Sequence, residues 1–260
     1  MNTEYFVQEG SVVRKIWGSS DIILFIFAGG AAEFALNKAV DWLYFTGRLP
    51  ADPVGRLFST VSYAQAIVFS EKQDALKAID NMSAIHSDVE KSRGRNIPDW
   101  AYRDVLYMLI DYSIRSYEVF EKALSVDERK EVFQVFYEVG RRMGLRDLPD
   151  TYECWVSDRS EHLKQDLAYS EYTADLFHQY RKHLGPVRYK LLLEAQSLVA
   201  PEVVKDLLQL RERPVLKPVI DMYKFARRLH LDSLIKKMAL PPKYRAQAGQ
   251  LEYHTSSRPL

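Results

Sequence analysis

Between Glu71 and Val89 the apolar and semi-apolar residues Ala75, Ile79, Met82, His86 and Val89 are separated by steps of 4, 3, 4 and 3, which is the repeat of one face of an α-helix. The run from Trp100 to Leu124 repeats the pattern with Leu106, Leu109, Ser113, Tyr117 and Phe120, and Asp127 to Met143 does so with Val132, Phe136, Gly140 and Met143. Ser125 or Asp127 suits the N-cap of that last helix, and Gly144 its C-terminal stop. Further helices are expected over 157–167, 170–182, 188–198, 201–210 and 216–229. The apolar run Ile22 to Ala32 is only about half the ~20 residues needed to span a bilayer and is followed by Glu33, Lys38 and Asp41. It therefore reads as the start of a buried helix. No stretch alternates with period two between turn signals, so the chain is expected to be all-α.

The breaks at Gly47–Pro53, Gly94–Pro98, Gly144–Pro149 and Gly185–Pro186 are too short for interdomain linkers. They favour one helical domain over 20–245, preceded by an N-terminal extension, 1–19, and followed by a flexible tail, 246–260. With 36 basic and 35 acidic residues, no broad electrostatic surface for nucleic acid or anionic lipid is expected. One cysteine, Cys154, excludes an internal disulfide and a cysteine-based metal site. The N-terminus lacks the order of a signal peptide, and a cytoplasmic protein without an integral membrane anchor is expected.

Motifs for the common chemistries are missing from the sequence. The six histidines form no HExxH pair, and no GxGxxG, GxxxxGK[ST] or GxSxG occurs. Gly29-Gly30 lies inside an apolar run with no strand before it, so close helix packing explains it better than phosphate binding. His86 differs from the other histidines because it occupies an apolar helix face, where an imidazole needs a hydrogen-bond partner or a metal. In ADPVGRLFSTVSY the Asp52-Pro53 pair makes a turn, after which Arg56 and Thr60 stand at i and i+4 on one face. They either aim a guanidinium and a hydroxyl into a pocket, or form an ordinary ion pair beside a helical threonine bonded to its own backbone. Arg141, Arg142 and Arg146 cluster at a helix end, where they either bind an anion or complement the helix dipole.

GRLFSTVSYAQAIVFS, followed one helix later by NMSAIHSDVEKSRG, resembles the core of the rubber oxygenase or latex clearing protein family, which is shared with the oxygenase of the mycophenolic acid pathway. The shared pattern is R-x-x-x-T, an aromatic end to that helix, and then a histidine. VFYEVGRRMGLRDLPDTYECW, RPVLKPVIDMYKFARR and MALPPKYR resemble later helices and the Leu-Pro segment of the same family. The resemblance implies a single-domain multi-helix bundle enclosing a haem b pocket, with His86 as the iron ligand and Arg56 and Thr60 near the haem. It also implies a catalytic base for which Asp41 is the nearest candidate, and propionate contacts that Arg141, Arg142 and Arg146 could supply. Dioxygen and an apolar alkene or isoprenoid-like small molecule would be the reactants. Ser59 stands where rubber-cleaving members carry a lysine over the iron, which argues against rubber as the substrate. The competing expectation is a non-catalytic helical protein that binds haem or another hydrophobic ligand.

Overall fold

The computed structural model describes residues 4–45, 47, 51–211, 218 and 220, with the side chains of 43, 53, 54 and 56–59 excepted. In chain order the helices are α1 (Val12–Trp17), α2 (Ser20–Leu36), α3 (Asp41–Phe45), α4 (Pro53–Phe69), α5 (Lys72–Arg93), α6 (Asp99–Phe120), α7 (Val126–Arg142), α8 (Tyr152–Gln165), α9 (Glu171–Val199) and α10 (Glu202–Leu208). Among the described residues no strand forms, and sheet-like pairing is confined to isolated bridges between Tyr5 and Glu71 and between Asn37 and Leu167. The expected all-α class therefore holds. No described helix is long and apolar enough to cross a membrane.

The local signals account for several helix ends. Asp52 caps α4 by accepting from the Gly55 N–H. Ser125 caps α7 in a reciprocal box with Glu128, so of the two candidate caps the serine is the one used. Gly94 and Gly144 close α5 and α7 at φ +72° and +79°, a left-handed conformation that disfavours a Cβ. The two helices expected over 170–182 and 188–198 are the arms of α9, which breaks where Gly185 leaves helical geometry ahead of Pro186.

Packing is organised around α2, SDIILFIFAGGAAEFAL, which is apolar around most of its circumference and is buried over most of it. It lies chiefly against α6 and α9. Ile22, Ile23 and Ile26 enter the principal core with residues of α1, α4, α6 and α7. Ala31 and Ala35 pack on Leu176 and Tyr180 of α9, while Ala32 and Leu36 meet Leu163, Leu167 and Val204. A smaller cluster of Ile67, Ala75, Ile79 and Val139 binds α4, α5 and α7 together.

The stretch read as an extension, 1–19, contributes α1 to the principal core through Val12, Val13, Ile16 and Trp17. The Trp17 indole N–H donates to Ser113 Oγ at 3.2 Å, and the Gln65 amide donates to the Trp17 carbonyl. Six residues show too little periodicity to announce themselves, and only the complementary surfaces of α6 and α7 reveal that they are core. The helix expected over 216–229, the end of the domain at 245 and the tail at 246–260 lie outside the described residues.

The glycine pair divides into two roles. A Cβ on Gly29 would stand 2.2 Å from the Tyr112 ring, whereas one on Gly30 would meet nothing within 4 Å. Gly29→Ala is therefore expected to cost about 1–3 kcal/mol through overpacking. Gly30→Ala should be neutral or stabilise by up to ~1 kcal/mol through helix propensity. Thermal unfolding of the two variants side by side checks this, and equal melting temperatures would remove the close approach of α2 and α6 as the reason for Gly29.

Candidate functional site

His86 sits near the C-terminal end of α5, half-buried rather than in the core that Ala75 and Ile79 enter. The chain turns at Gly94 and returns as α6, which brings Tyr102 edge-on to the imidazole at 5.3 Å between ring centres and an interplanar angle of 80°. Glu90 holds that return in place. Its Oε1 accepts from the Ile97 N–H at 2.8 Å and from the Tyr102 hydroxyl at 3.2 Å. Burial first, and then the Glu90 charge, raise the Tyr102 pKa well above the ordinary phenol value, so the hydroxyl keeps its proton and acts as a donor. His86, Ser83, Ser87, Asn96 and Asp99 line a cleft of about 250 Å³, closed on another side by Met143 and Leu145 beyond the end of α7.

Thr60 is half-buried on α4. Only Ser70 and Glu71 separate α4 from α5, so the two form a helical hairpin joined at Ile67, Ala75 and Ile79. Seven residues separate Thr60 from Ile67 and seven separate Ile79 from His86. At 1.5 Å per residue both positions are about 10 Å beyond that contact, toward the open end of the hairpin. The side chains of Arg56 and Ser59 lie outside the described residues.

Asp41, the candidate base, opens α3 and is held in an ion-pair anchor. Its Oδ2 accepts from Arg93 at 2.5 Å and from Arg95 at 3.1 Å, and the Arg93 guanidinium stacks 4.1 Å over the Trp42 ring. The three arginines considered for propionates do not converge. Arg142 makes two hydrogen bonds to Asp80, at 2.8 and 2.7 Å, which tie α7 to α5, and these bonds, helped by the guanidinium charge, keep the Asp80 carboxyl below the usual range. Arg141 is exposed near Glu138, and Arg146 is exposed 3.8 Å from Asp99 at the cleft.

Two buried polar clusters escaped the sequence reading. In the first, Arg159 of α8 grips both oxygens of Glu33 at 2.6 Å, and Asp111 of α6 at 3.2 and 3.1 Å. The Tyr112 hydroxyl donates to Glu33 at 2.9 Å, and Arg115 donates to Asp111 at 2.6 Å. Burial alone would lower the Arg159 pKa, but Glu33 and Asp111 outweigh it and the net shift is upward. In the second cluster, His162 Nδ1 lies 2.5 Å from Asp104 Oδ1 and 3.1 Å from Asp166 Oδ2. The available signal was the heptad spacing of Asp104 and Asp111 on α6, with Arg159, His162 and Asp166 at i, i+3 and i+7 along one face of α8 and its cap.

The described structure is thus an all-helical domain with one histidine opening on a cleft at the mouth of a helical hairpin. The sequence profile described as "ER-bound oxygenase mpaB/B'/Rubber oxygenase, catalytic domain" matches residues 14–231, and the chain belongs to that oxygenase family. No curated protein and no solved structure matches it.

Proposed function

We propose that the protein is a haem b-dependent oxygenase that uses dioxygen to oxidise or cleave an apolar alkene or isoprenoid-like substrate, with His86 as the iron ligand. The observation that carries the proposal is His86 itself. A single imidazole, its ring set by Tyr102, opens on a cleft in a chain of an oxygenase family. One imidazole matches the single protein nitrogen that a haem would take and falls short of the three or four ligands of a bare ion. The cleft around it, about 250 Å³ and lined by Ser83, Ser87, Glu90, Asn96 and Asp99, is too small and too polar to enclose the whole macrocycle, so the fit rests on the ligand.

When bound, haem supplies the oxygen chemistry. The chain's own part is to hold and orient. His86 would hold the iron through an imidazole nitrogen, and the Glu90–Tyr102 pair keeps the return to α6 closed against the imidazole. In this reading the Arg56 guanidinium and the Thr60 hydroxyl would donate to oxygen atoms of the bound group or the substrate. Asp41 removes a substrate proton, which requires it to part from Arg93 or Arg95. Arg141, Arg142 and Arg146 are the propionate candidates, and Arg142 would have to exchange Asp80 for a propionate.

The test is an absorption spectrum of the full chain, followed by oxygen consumption with isoprenoid alkenes. A Soret band with alkene-dependent uptake is expected. Arg56→Ala and Thr60→Ala should each slow uptake at least tenfold while lowering stability by less than a surface ion pair is worth, about 1 kcal/mol. A chain that takes up no haem on reconstitution sinks the reading. A haem-loaded chain that consumes no oxygen is a carrier.

A further inference from the structure

The second buried cluster brings together parts of three elements. Asn37 ends α2, Asp104 lies on α6, His162 lies on the last turn of α8, and Asp166 is that helix's C-terminal cap. The chain after α8 is fastened to the chain after α2. The Lys38 N–H donates to the Asp166 carbonyl at 2.9 Å, and the Ala168 N–H donates to the Leu36 carbonyl at 2.8 Å. This pairing places the Asp166 carboxylate against His162.

Three carboxylates then surround one imidazole. Asp104 and Asp166 both approach Nδ1, at 2.5 and 3.1 Å, and Asp158 Oδ1 lies 3.8 Å from Nε2. A single Nδ1–H is directional and satisfies one acceptor well. Here two anionic oxygens converge on the same nitrogen, and the Asp104 side chain is only 3% exposed. Lys38 and Arg103 are the other cations whose charge reaches Asp166, and both are engaged elsewhere. Lys38 donates to the Gln165 carbonyl, and Arg103 to the carbonyls of Arg146 and Asp147. At contact distance three carboxylates therefore face one imidazole, and the remaining two positive charges, on Lys38 and Arg103, act from outside the cluster; for Asp104, the buried member, a charge left without a direct partner is costly.

The donor atoms also have the spacing that an ion needs. One atom from each of Asp104, His162 and Asp166 lies within 4.8 Å of the other two. Neighbouring ligands of an ion bound at ~2.1 Å stand about 3 Å apart, so Asp166 is already placed and Asp104 has only to withdraw slightly. The groups behind these donors are oriented as well. Asn37 Nδ2 donates to the remote oxygen of Asp104 at 2.6 Å, and the Asn37 side-chain oxygen is in turn held by the Ala39 N–H at 2.8 Å. Asp158 faces the remote nitrogen of His162 and is itself fixed by the Tyr107 hydroxyl at 2.5 Å. A carboxylate behind the ligating histidine and a donor behind the ligating carboxylate form the outer shell that metal sites use to orient their ligands.

We propose that Asp104, His162 and Asp166 form a divalent-cation site, distinct from the His86 cleft, that takes a borderline ion such as zinc or manganese in place of the shared proton. One nitrogen and two oxygen donors suit that class, being too few and too soft for calcium. The ion locks the ends of α2 and α8 onto α6.

The experiment uses the full chain, stripped with chelator and dialysed against zinc or manganese, with bound metal counted by elemental analysis. Wild type and His86→Ala are each expected to retain one equivalent and to melt higher with metal than with chelator, because an ion that binds only the folded state stabilises it. Asp166→Asn should bind at least tenfold more weakly. Asp158→Asn, which alters only the outer shell, should lose about tenfold. Iron is counted separately through the haem spectrum, so failure of the haem reading leaves this result intact. Equal retention by wild type and Asp166→Asn, no retention by wild type, or loss of the ion in His86→Ala overturns the site and leaves an imidazolium clamped between carboxylates.

Discussion

His86→Ala is expected to abolish the Soret band of the reconstituted protein while leaving its far-ultraviolet helical signal unchanged. The two effects separate because α5 is held by residues other than His86. Ala75 and Ile79 carry its contact with α4 and α7, and Arg142 clamps Asp80 on its flank. His86 is half-buried at the far end, so truncating it opens no cavity in the core. In the proposed site His86 would be the residue that bonds the iron, so its truncation would remove that hold. The variant should therefore bind at most a few per cent of the wild-type haem. If it keeps the wild-type band at full stoichiometry, another side chain is the ligand and the assignment at this position fails. A Tyr102→Phe control keeps the ring against the imidazole but loses the bond to Glu90. It should retain haem.

Arg159→Met should produce the largest loss of stability of any single substitution considered. Glu33 is 1% exposed, and its two oxygens receive both guanidinium Nη atoms and the Tyr112 hydroxyl. Removing the guanidinium leaves that carboxylate buried without its cation, a change that costs about 3–5 kcal/mol. At roughly 2–4 °C per kcal/mol for a chain of this size, the melting temperature should fall on the order of 10 °C. Replacing both partners, Arg159→Met with Glu33→Gln, should recover much of the loss, because the uncompensated charge goes with its partner. The pair of melting curves measures the coupling directly. A fall of under ~1 kcal/mol in Arg159→Met would place Glu33 in contact with water and dissolve the cluster as a structural feature.

Much of the architecture was legible from local pattern. The 3.6-residue repeats located α5, α6 and α7, the Gly-Pro pairs located the breaks, and the apolar run Ile22 to Ala32 identified a buried helix that became the centre of the fold. Close packing at the glycine pair was also legible, although the structure assigns it to Gly29 alone because only that residue faces Tyr112. Family membership was readable too, since R-x-x-x-T, His86 and the later Leu-Pro and closing segments keep the family's order over most of the chain, and the family profile spans 14–231.

What the sequence determined by itself is therefore whatever depends on neighbours three or four residues away: helix positions, caps, breaks and the order of motifs. Tertiary structure alone decided which charges are buried and with whom. Glu33 looks like the polar end of an apolar run, and Arg159 and His162 look like solvated positions on a polar helix. They become core residues because α2, α6 and α8 meet there, and each charge finds its partner 48 to 126 residues away along the chain. Asp41 shows the same limit from the other side. Nothing beside it in sequence names its partners, and only the end of α5 and the turn after it bring Arg93 and Arg95 onto it. Pairing of charges across helices is set by packing geometry, which no local period encodes.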